Sequence, residues 1–282
     1  MKKICVLFLS LILCGFFAGC NITEYTYGNS EKYLEYSEFV KQNGSETSFE
    51  KLNIDWIAGN VSIKEGDAFE IVEHSDKENY PPMYCLLENG VLTVKFCKSG
   101  TSHLRLNNLK KTLEIIVTSV KHVSLDVVSS DYAIELSDLD GVEVDGVSGN
   151  GRVALGNVQT ANFDLISGSV DLSASECEKI EIDAVSGLAT VRLASVKTVA
   201  FDTVSGDLDL TVEDSSALQK IDFDSTDGNL TVKLDGAKGF DLSFDTVSGS
   251  KDLAFTEGSS GDEEKFKIDF DSVSGNLTVS NR

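Results

Sequence analysis

A short phrase recurs eight times between residues 125 and 275 of this 282-residue chain. Each copy has an apolar residue, an aspartate, a small residue and another apolar residue, usually followed by Ser-Gly. The aspartates are Asp126, Asp145, Asp164, Asp183, Asp202, Asp224, Asp245 and Asp271. The first five lie 19 residues apart, and the later steps are 22, 21 and 26 residues. A fixed short period is typical of stacked repeats, in which each unit buries its apolar face against its neighbours.

The residues around each Ser-Gly corner predict an all-β fold, a parallel β-solenoid. Beyond the corner, alternate residues are apolar, as at Leu208, Leu210 and Val212, which indicates a half-buried strand. A second strand precedes each corner. Two or three short strands per turn would stack as rungs, a rung being one turn of about 19 residues. A sandwich of antiparallel hairpins is the alternative, but it would not place identical corners over one another.

The first twenty residues resemble a bacterial lipoprotein leader. Lys2 and Lys3 precede an apolar run that is too short to span a bilayer comfortably. The run ends in Phe17-Ala18-Gly19-Cys20, which resembles the box where lipoproteins are cleaved and the cysteine is acylated. We predict lipid attachment at Cys20 and an extracytoplasmic protein anchored to the bacterial cell membrane. An ordinary secretory signal with an incidental cysteine is the alternative.

Four segments are predicted along the chain. They are a signal peptide (1–19), a polar tether (20–50), an irregular N-terminal β region with a hairpin (51–118) and the solenoid (119–282). The hairpin is indicated by Asn89-Gly90, a pair typical of two-residue turns. In that register Cys85 lies opposite Val94, so a disulfide to Cys97 would need a bulge or another register. Cys85, Cys97 and Cys177 are therefore interpreted as small apolar core residues.

The negative charge of the chain limits the classes of partner that it can bind. Its formal net charge is −22, and residues 119–282 carry 31 acidic and 12 basic side chains. Such a surface repels nucleic acid and anionic headgroups and favours cations or basic partners. We expect no nucleic-acid role, a membrane contact through the lipid, and an unidentified protein or glycan partner at the cell surface.

The eight aspartates allow two interpretations. In the structural one, each accepts a hydrogen bond from the amide two residues on, an Asx turn that builds the corner. In the functional one, carboxylates about 4.8 Å apart repel by roughly 0.9 kcal/mol per pair in water and form a column that binds cations such as calcium. The spacing of Asp222, Asp224 and Asp227 lacks the pattern of an EF-hand loop. No other cofactor is expected.

No motif of this chain predicts catalysis. The three histidines, His74, His103 and His122, lie outside the repeat corners and near no recognisable nucleophile. Abundant carboxylates in so acidic a chain are weak evidence for an acid–base pair. We therefore expect a protein that is not an enzyme.

The Val-Ser-Gly corners and the alternating strands after them resemble a bacterial family of β-strand-repeat surface proteins. The family is of unknown function, is described as toast-rack-shaped and adhesin-like, and includes lipoproteins. Residues 54–63 and 95–100 share the resemblance, which covers about residues 50–282. It implies the fold and a surface display or interaction role. An envelope regulatory or stress-associated protein is the alternative, and an extracellular carbohydrate-active enzyme is a third hypothesis.

Overall fold

The computed structural model describes residues 24–44, 48–235, 239–254 and 266–281. Cys20 and the proposed signal peptide lie outside the described residues. By their internal contacts the residues form two compact units, the first up to Ala133 with Val144–Gly149, the second Ile134–Glu143 with the residues from Asn150 onward. Among the described residues, no helix is long and apolar enough to cross a bilayer.

The first unit is an irregular β region with two short helices. Its elements are β1 (Glu24–Tyr25), β2 (Leu34–Glu35), α1 (Tyr36–Asn43), β3 (Lys51–Glu65), β4 (Glu70–Ser75), β5 (Tyr84–Glu88), β6 (Val91–Lys95), β7 (Thr101–Ser102), α2 (His103–Leu106), β8 (Lys111–Val117) and part of β9 (His122–Ser148). Strand β3 pairs in parallel with β6 along its first half and with β8 along its second half. The sequence predicted a tether up to residue 50, but β2 pairs with β5 and Phe39 of α1 is buried.

The hairpin β5–β6 has the predicted register. Asn89 and Gly90 both have positive φ, 54° and 74°, as a type I′ turn requires. Cys85 pairs with Val94 across the hairpin. Cys85 and Cys97 are free thiols in the core, as is Cys177. Their interpretation as small apolar core residues is confirmed.

Lys111 lies at the centre of the first unit's core. Its Nζ donates hydrogen bonds to the Glu73 carboxylate and to the carbonyls of Phe96 and Pro81, the last at 3.1 Å. The ammonium also lies 5.0 Å from the ring centroid of Trp56. Burial lowers the pKa of Lys111, while the Glu73 carboxylate opposes that shift. The Lys111 side chain is wholly inaccessible to solvent, so we assign this ion pair to the core rather than to a binding site.

The second unit is the repeat region. It contains the rest of β9, β10 (Asn150–Leu165), β11 (Ser169–Asp214), β12 (Lys220–Asp227), β13 (Leu230–Leu234), β14 (Phe240–Ser248), β15 (Lys251–Leu253), β16 (Phe266–Ser274) and β17 (Leu277–Asn281). Strands β10 and β11 pair in parallel, from Asn150 with Ser169 to Leu165 with Ala184, an offset of one repeat. This register confirms the predicted stacking of repeats and excludes the antiparallel meander.

The last two rungs of the stack do not follow the order of the chain. Strand β16 pairs with β12 on one side and with β14 on the other, so residues 266–281 lie between residues 220–234 and 240–253. The side chains that directly follow the corner glycines are hydrogen-bonded in the same order. The Asn229 side-chain amide donates to Asp207 at 2.8 Å, and the Asn276 side-chain amide donates to Asn229 at 3.0 Å. Stacking in strict chain order, which the repeats suggested, is therefore wrong for these two rungs.

The corner glycines set how closely the rungs approach. A Cβ atom added to Gly187, whose φ is +141°, would lie 1.9 Å from the carbonyl oxygen of Gly168. Added to Gly249, it would lie 1.9 Å from the carbonyl oxygen of Gly275. No side chain fits at such distances, which confirms that the glycines are required by close backbone approach. Inside the coil, the rings of Phe223 and Phe270 stack with centroids 5.2 Å apart.

Candidate functional site

One outer face of the second unit carries the predicted aspartates in register. Asp164 pairs with Asp183, Asp202 with Asp224, Asp224 with Asp271 and Asp245 with Asp271. We call Asp164, Asp183, Asp202, Asp224, Asp271 and Asp245 the aspartate column. The other two predicted aspartates, Asp126 and Asp145, belong to the first unit. The corners that follow them also approach closely, because a Cβ added to Gly149 would lie 2.0 Å from the Ser130 carbonyl oxygen.

The first two carboxyl groups of the aspartate column resist ionisation. Burial, and then the carboxylates of Asp164 and Asp202, raise the pKa of Asp183 to about 6. Burial also raises the pKa of Asp164, with Glu143 and Glu181 adding to the effect. The amide donors of the predicted Asx turn would lower these values instead. At these two positions burial and repulsion therefore prevail.

A second, interrupted acidic column lies two residues before the aspartate on three of the rungs, at Glu181, Asp222 and Asp269, and its members are paired with lysines. Asp222 and Asp269 pair in register. The Lys220 ammonium lies 2.8 Å from the Asp222 carboxylate and 3.1 Å from that of Asp269, and Lys267 lies 2.6 Å from Asp269. Burial opposes ionisation of Asp269, but the hydrogen bonds from Lys267 and Lys220 outweigh it and hold its pKa below its usual range. The lysines of these rungs thus bind the column farther from the corner.

Apolar side chains are exposed on the other side of the aspartate column. At the position just before each corner serine, Val185, Val204, Val273 and Val247 are 39%, 41%, 52% and 85% exposed. We call these four valines, together with Ile166 and Thr226 at the equivalent positions, the corner strip. Aligned apolar side chains left open to solvent are a feature of interaction surfaces rather than of a monomer's ordinary surface.

The corner strip and Lys111 were not predicted from the sequence. A signal for the strip was present, because the apolar phase shifts by one between the aspartate and the next apolar residue, and the buried alternation resumes only after the glycine. Lys111 gave no signal, since its burial depends on Glu73 and Trp56, which are distant in sequence.

The described residues contain no group of three or more His, Cys, Asp or Glu side chains placed to hold a metal ion. The aspartates follow one another singly, one to a rung, instead of converging on a point. Cation binding along this column therefore stays a prediction. Cys20, the predicted lipid-attachment residue, lies outside the described part of the chain.

The sequence matches a known protein family over residues 49–281. This chain belongs to the Toastrack DUF4097 family. Three solved structures are similar to this chain. A candidate adhesin from Bacteroides fragilis is 16% identical, with a TM-score of 0.47, over 84% of this chain and 94% of its own.

A candidate lipid-binding protein from Parabacteroides distasonis is 13% identical, with a TM-score of 0.49, over 82% of this chain and 93% of its own. A candidate cell adhesion protein from Clostridium sporogenes is 12% identical, with a TM-score of 0.25, over 85% of this chain and 95% of its own. A search among curated proteins finds no match.

Proposed function

We propose that this Toastrack chain is a cell-surface lipoprotein, anchored through Cys20, that acts as a non-catalytic, adhesin-like display or interaction module. The observation that carries the proposal is the corner strip, in which a valine is exposed on four of the six rungs. Such a strip offers a partner several equivalent contacts. The leader at residues 1–19 supports delivery of this surface to the outside of the cell.

The anchoring part of the proposal is tested on intact cells. A membrane-impermeant biotin reagent should label the wild-type protein, which should fractionate with membranes. With Cys20→Ser the protein should move to the soluble extracytoplasmic fraction, because its acylation site is gone. Labelling only after lysis, or unchanged membrane association of the variant, would contradict the anchor.

The interaction part is tested with the corner strip itself. Cells that display the wild-type chain should be retained on plates coated with envelope proteins or glycans. Cells that display Val204→Ser/Val273→Ser should be retained several-fold less, since those side chains contribute exposed apolar area. Leu104→Ser is the matched control, because Leu104 is 89% exposed but lies in the first unit. Equal retention of all three would refute an interaction role for the strip.

A further inference from the structure

The outer face of the second unit has two rows that run from rung to rung. The corner strip is apolar except at Thr226, and the aspartate column lies two residues before it; on three rungs a lysine-paired acidic residue lies two residues before the aspartate. At about 3.3 Å per residue, the aspartates and the strip are about 7 Å apart. An anionic row thus runs directly beside an apolar row.

We propose that this face binds a cationic amphipathic helix, with apolar side chains on the corner strip and Lys or Arg side chains on the aspartate column. The inference rests on the proposed function and deepens it by naming the chemistry of the partner.

The spacing of the rungs favours a helix over an extended segment. Parallel strands repeat every ~4.8 Å, and an α-helix rises about 5.4 Å per turn. From Val185 to Val247 the stack takes four steps, so the helix would drift by about 2.4 Å, which long Lys and Arg side chains absorb. An extended chain, whose same-face residues recur at about 6.7 Å, would drift by about 8 Å.

The length of the face sets the length of the helix. A helix of about 13 residues would cover the five rungs, because it rises about 1.5 Å per residue.

Charge selects a cationic partner over an anionic one. Lys220 and Lys267 form their ion pairs with Asp222 and Asp269, in the column farther from the strip. The aspartate column adjoins the strip, and within it burial and then the neighbouring carboxylates of Asp164 and Asp202 raise the pKa of Asp183. A Lys or Arg side chain placed there relieves this repulsion, whereas a phosphate or sulfate group increases it.

The test uses a designed 14-residue peptide of Leu and Lys whose leucines form one helical face. A scrambled peptide of the same composition is the control. Fluorescence anisotropy is measured with the full-length chain carrying Cys20→Ser, which removes the candidate acylation site. The amphipathic peptide should bind at least tenfold more tightly than the scrambled one, and its affinity should fall with added salt.

Substitutions then locate the binding site. Val204→Ser/Val273→Ser and Asp183→Asn/Asp202→Asn should each weaken binding at least tenfold, and the second pair should also reduce the salt dependence. Val185→Ser is an independent single variant of the strip. Leu104→Ser, in the first unit, and Asp209→Asn, on the strand after a corner, change exposed residues that belong neither to the strip nor to the aspartate column, and both variants should bind as the parent does.

Two results would overturn the inference: equal affinity for both peptides, or parental affinity in the strip variants. Such a failure is separable from failure of the proposed function. If the strip variants lose retention on coated plates but the peptide does not bind, the strip has a partner of other chemistry, such as a glycan, and only the helix is refuted.

Discussion

At the scale of single residues, the corner glycines carry the strictest requirement in the second unit. In Gly187→Ala, the new methyl group would have to occupy the position of the Gly168 carbonyl oxygen, and φ would remain at +141°. We expect the free energy of unfolding to fall by at least about 2 kcal/mol, measured by urea denaturation. Gly28→Ala is the control, since no atom lies within 4 Å of its added Cβ, and it should change stability by less than about 0.5 kcal/mol.

Asp183 predicts a pH dependence of stability. Its pKa in the folded chain is about 6, above its ordinary value of 3.8. Between these values the folded state binds the proton more tightly than the unfolded state, so stability decreases as pH rises through this window. The Tm should therefore be higher at pH 5 than at pH 7.5.

In Asp183→Asn the Tm should be higher than in the wild type at pH 7.5, and the difference should shrink as the pH approaches 4. Thermal unfolding followed by circular dichroism measures both effects. Asp245→Asn is the matched control, because Asp245 is exposed and pairs with Asp271 at the end of the column. An Asp183→Asn curve parallel to that of the wild type would contradict the assignment.

At the scale of elements, the exchanged rung order can be read out by cross-linking. Thr231 pairs with Thr278, and Thr278 pairs with Asp252, so Thr231 and Asp252 lie two rungs apart. Thr231→Cys/Thr278→Cys should form a disulfide on mild oxidation, because adjacent strands are about 4.8 Å apart. Thr231→Cys/Asp252→Cys should not, since two rungs span about 9.6 Å.

The gel shift of the oxidised chain under non-reducing conditions distinguishes the two variants. Stacking in chain order predicts the opposite result, with the Thr231–Asp252 pair oxidised and the Thr231–Thr278 pair left reduced.

Some strand pairings of this chain are predictable from local sequence signals and others are not. The Asn89-Gly90 turn and the 19-residue period act locally, so the hairpin register, the parallel stacking and the aspartate register were predictable. The exchange of rungs was not predicted, because every corner has the same local signal. A longer-range signal existed: residues 220–234 and 267–281 are identical at eleven of fifteen positions, and these two segments are neighbours.

Identical residues on neighbouring rungs contact one another favourably, because parallel in-register pairing places them side by side. The Asn276 side-chain amide donates a hydrogen bond to the amide oxygen of Asn229, and the rings of Phe223 and Phe270 lie within 4° of parallel. Ser225 and Ser272 hydrogen-bond at 2.8 Å. Residues 240–253 also supply a stacked ring, Phe244, but they carry Ser250 where the near-duplicate rungs carry asparagine, so they would not supply the amide-to-amide hydrogen bond. The exposure of the corner strip could not be predicted in this way, because it depends on which side of the coil each corner faces.

At the scale of the whole molecule, the formal charge of −22 acts together with the fold. Stacking places the carboxylates of successive rungs in rows. Negative charges that would be far apart in an extended chain are therefore close together and regularly spaced in the folded one. Mutual repulsion between copies favours solubility, while an oppositely charged partner is attracted over a long range.

The placement of residues 266–281 has a consequence for biogenesis. The chain is synthesised from its amino end, so residues 240–253 are made before the strands β16 and β17 with which they finally pair. The last two rungs therefore cannot assemble one after the other in the order of the chain, and residues 240–253 can take their final place only after residues 266–281 have been made.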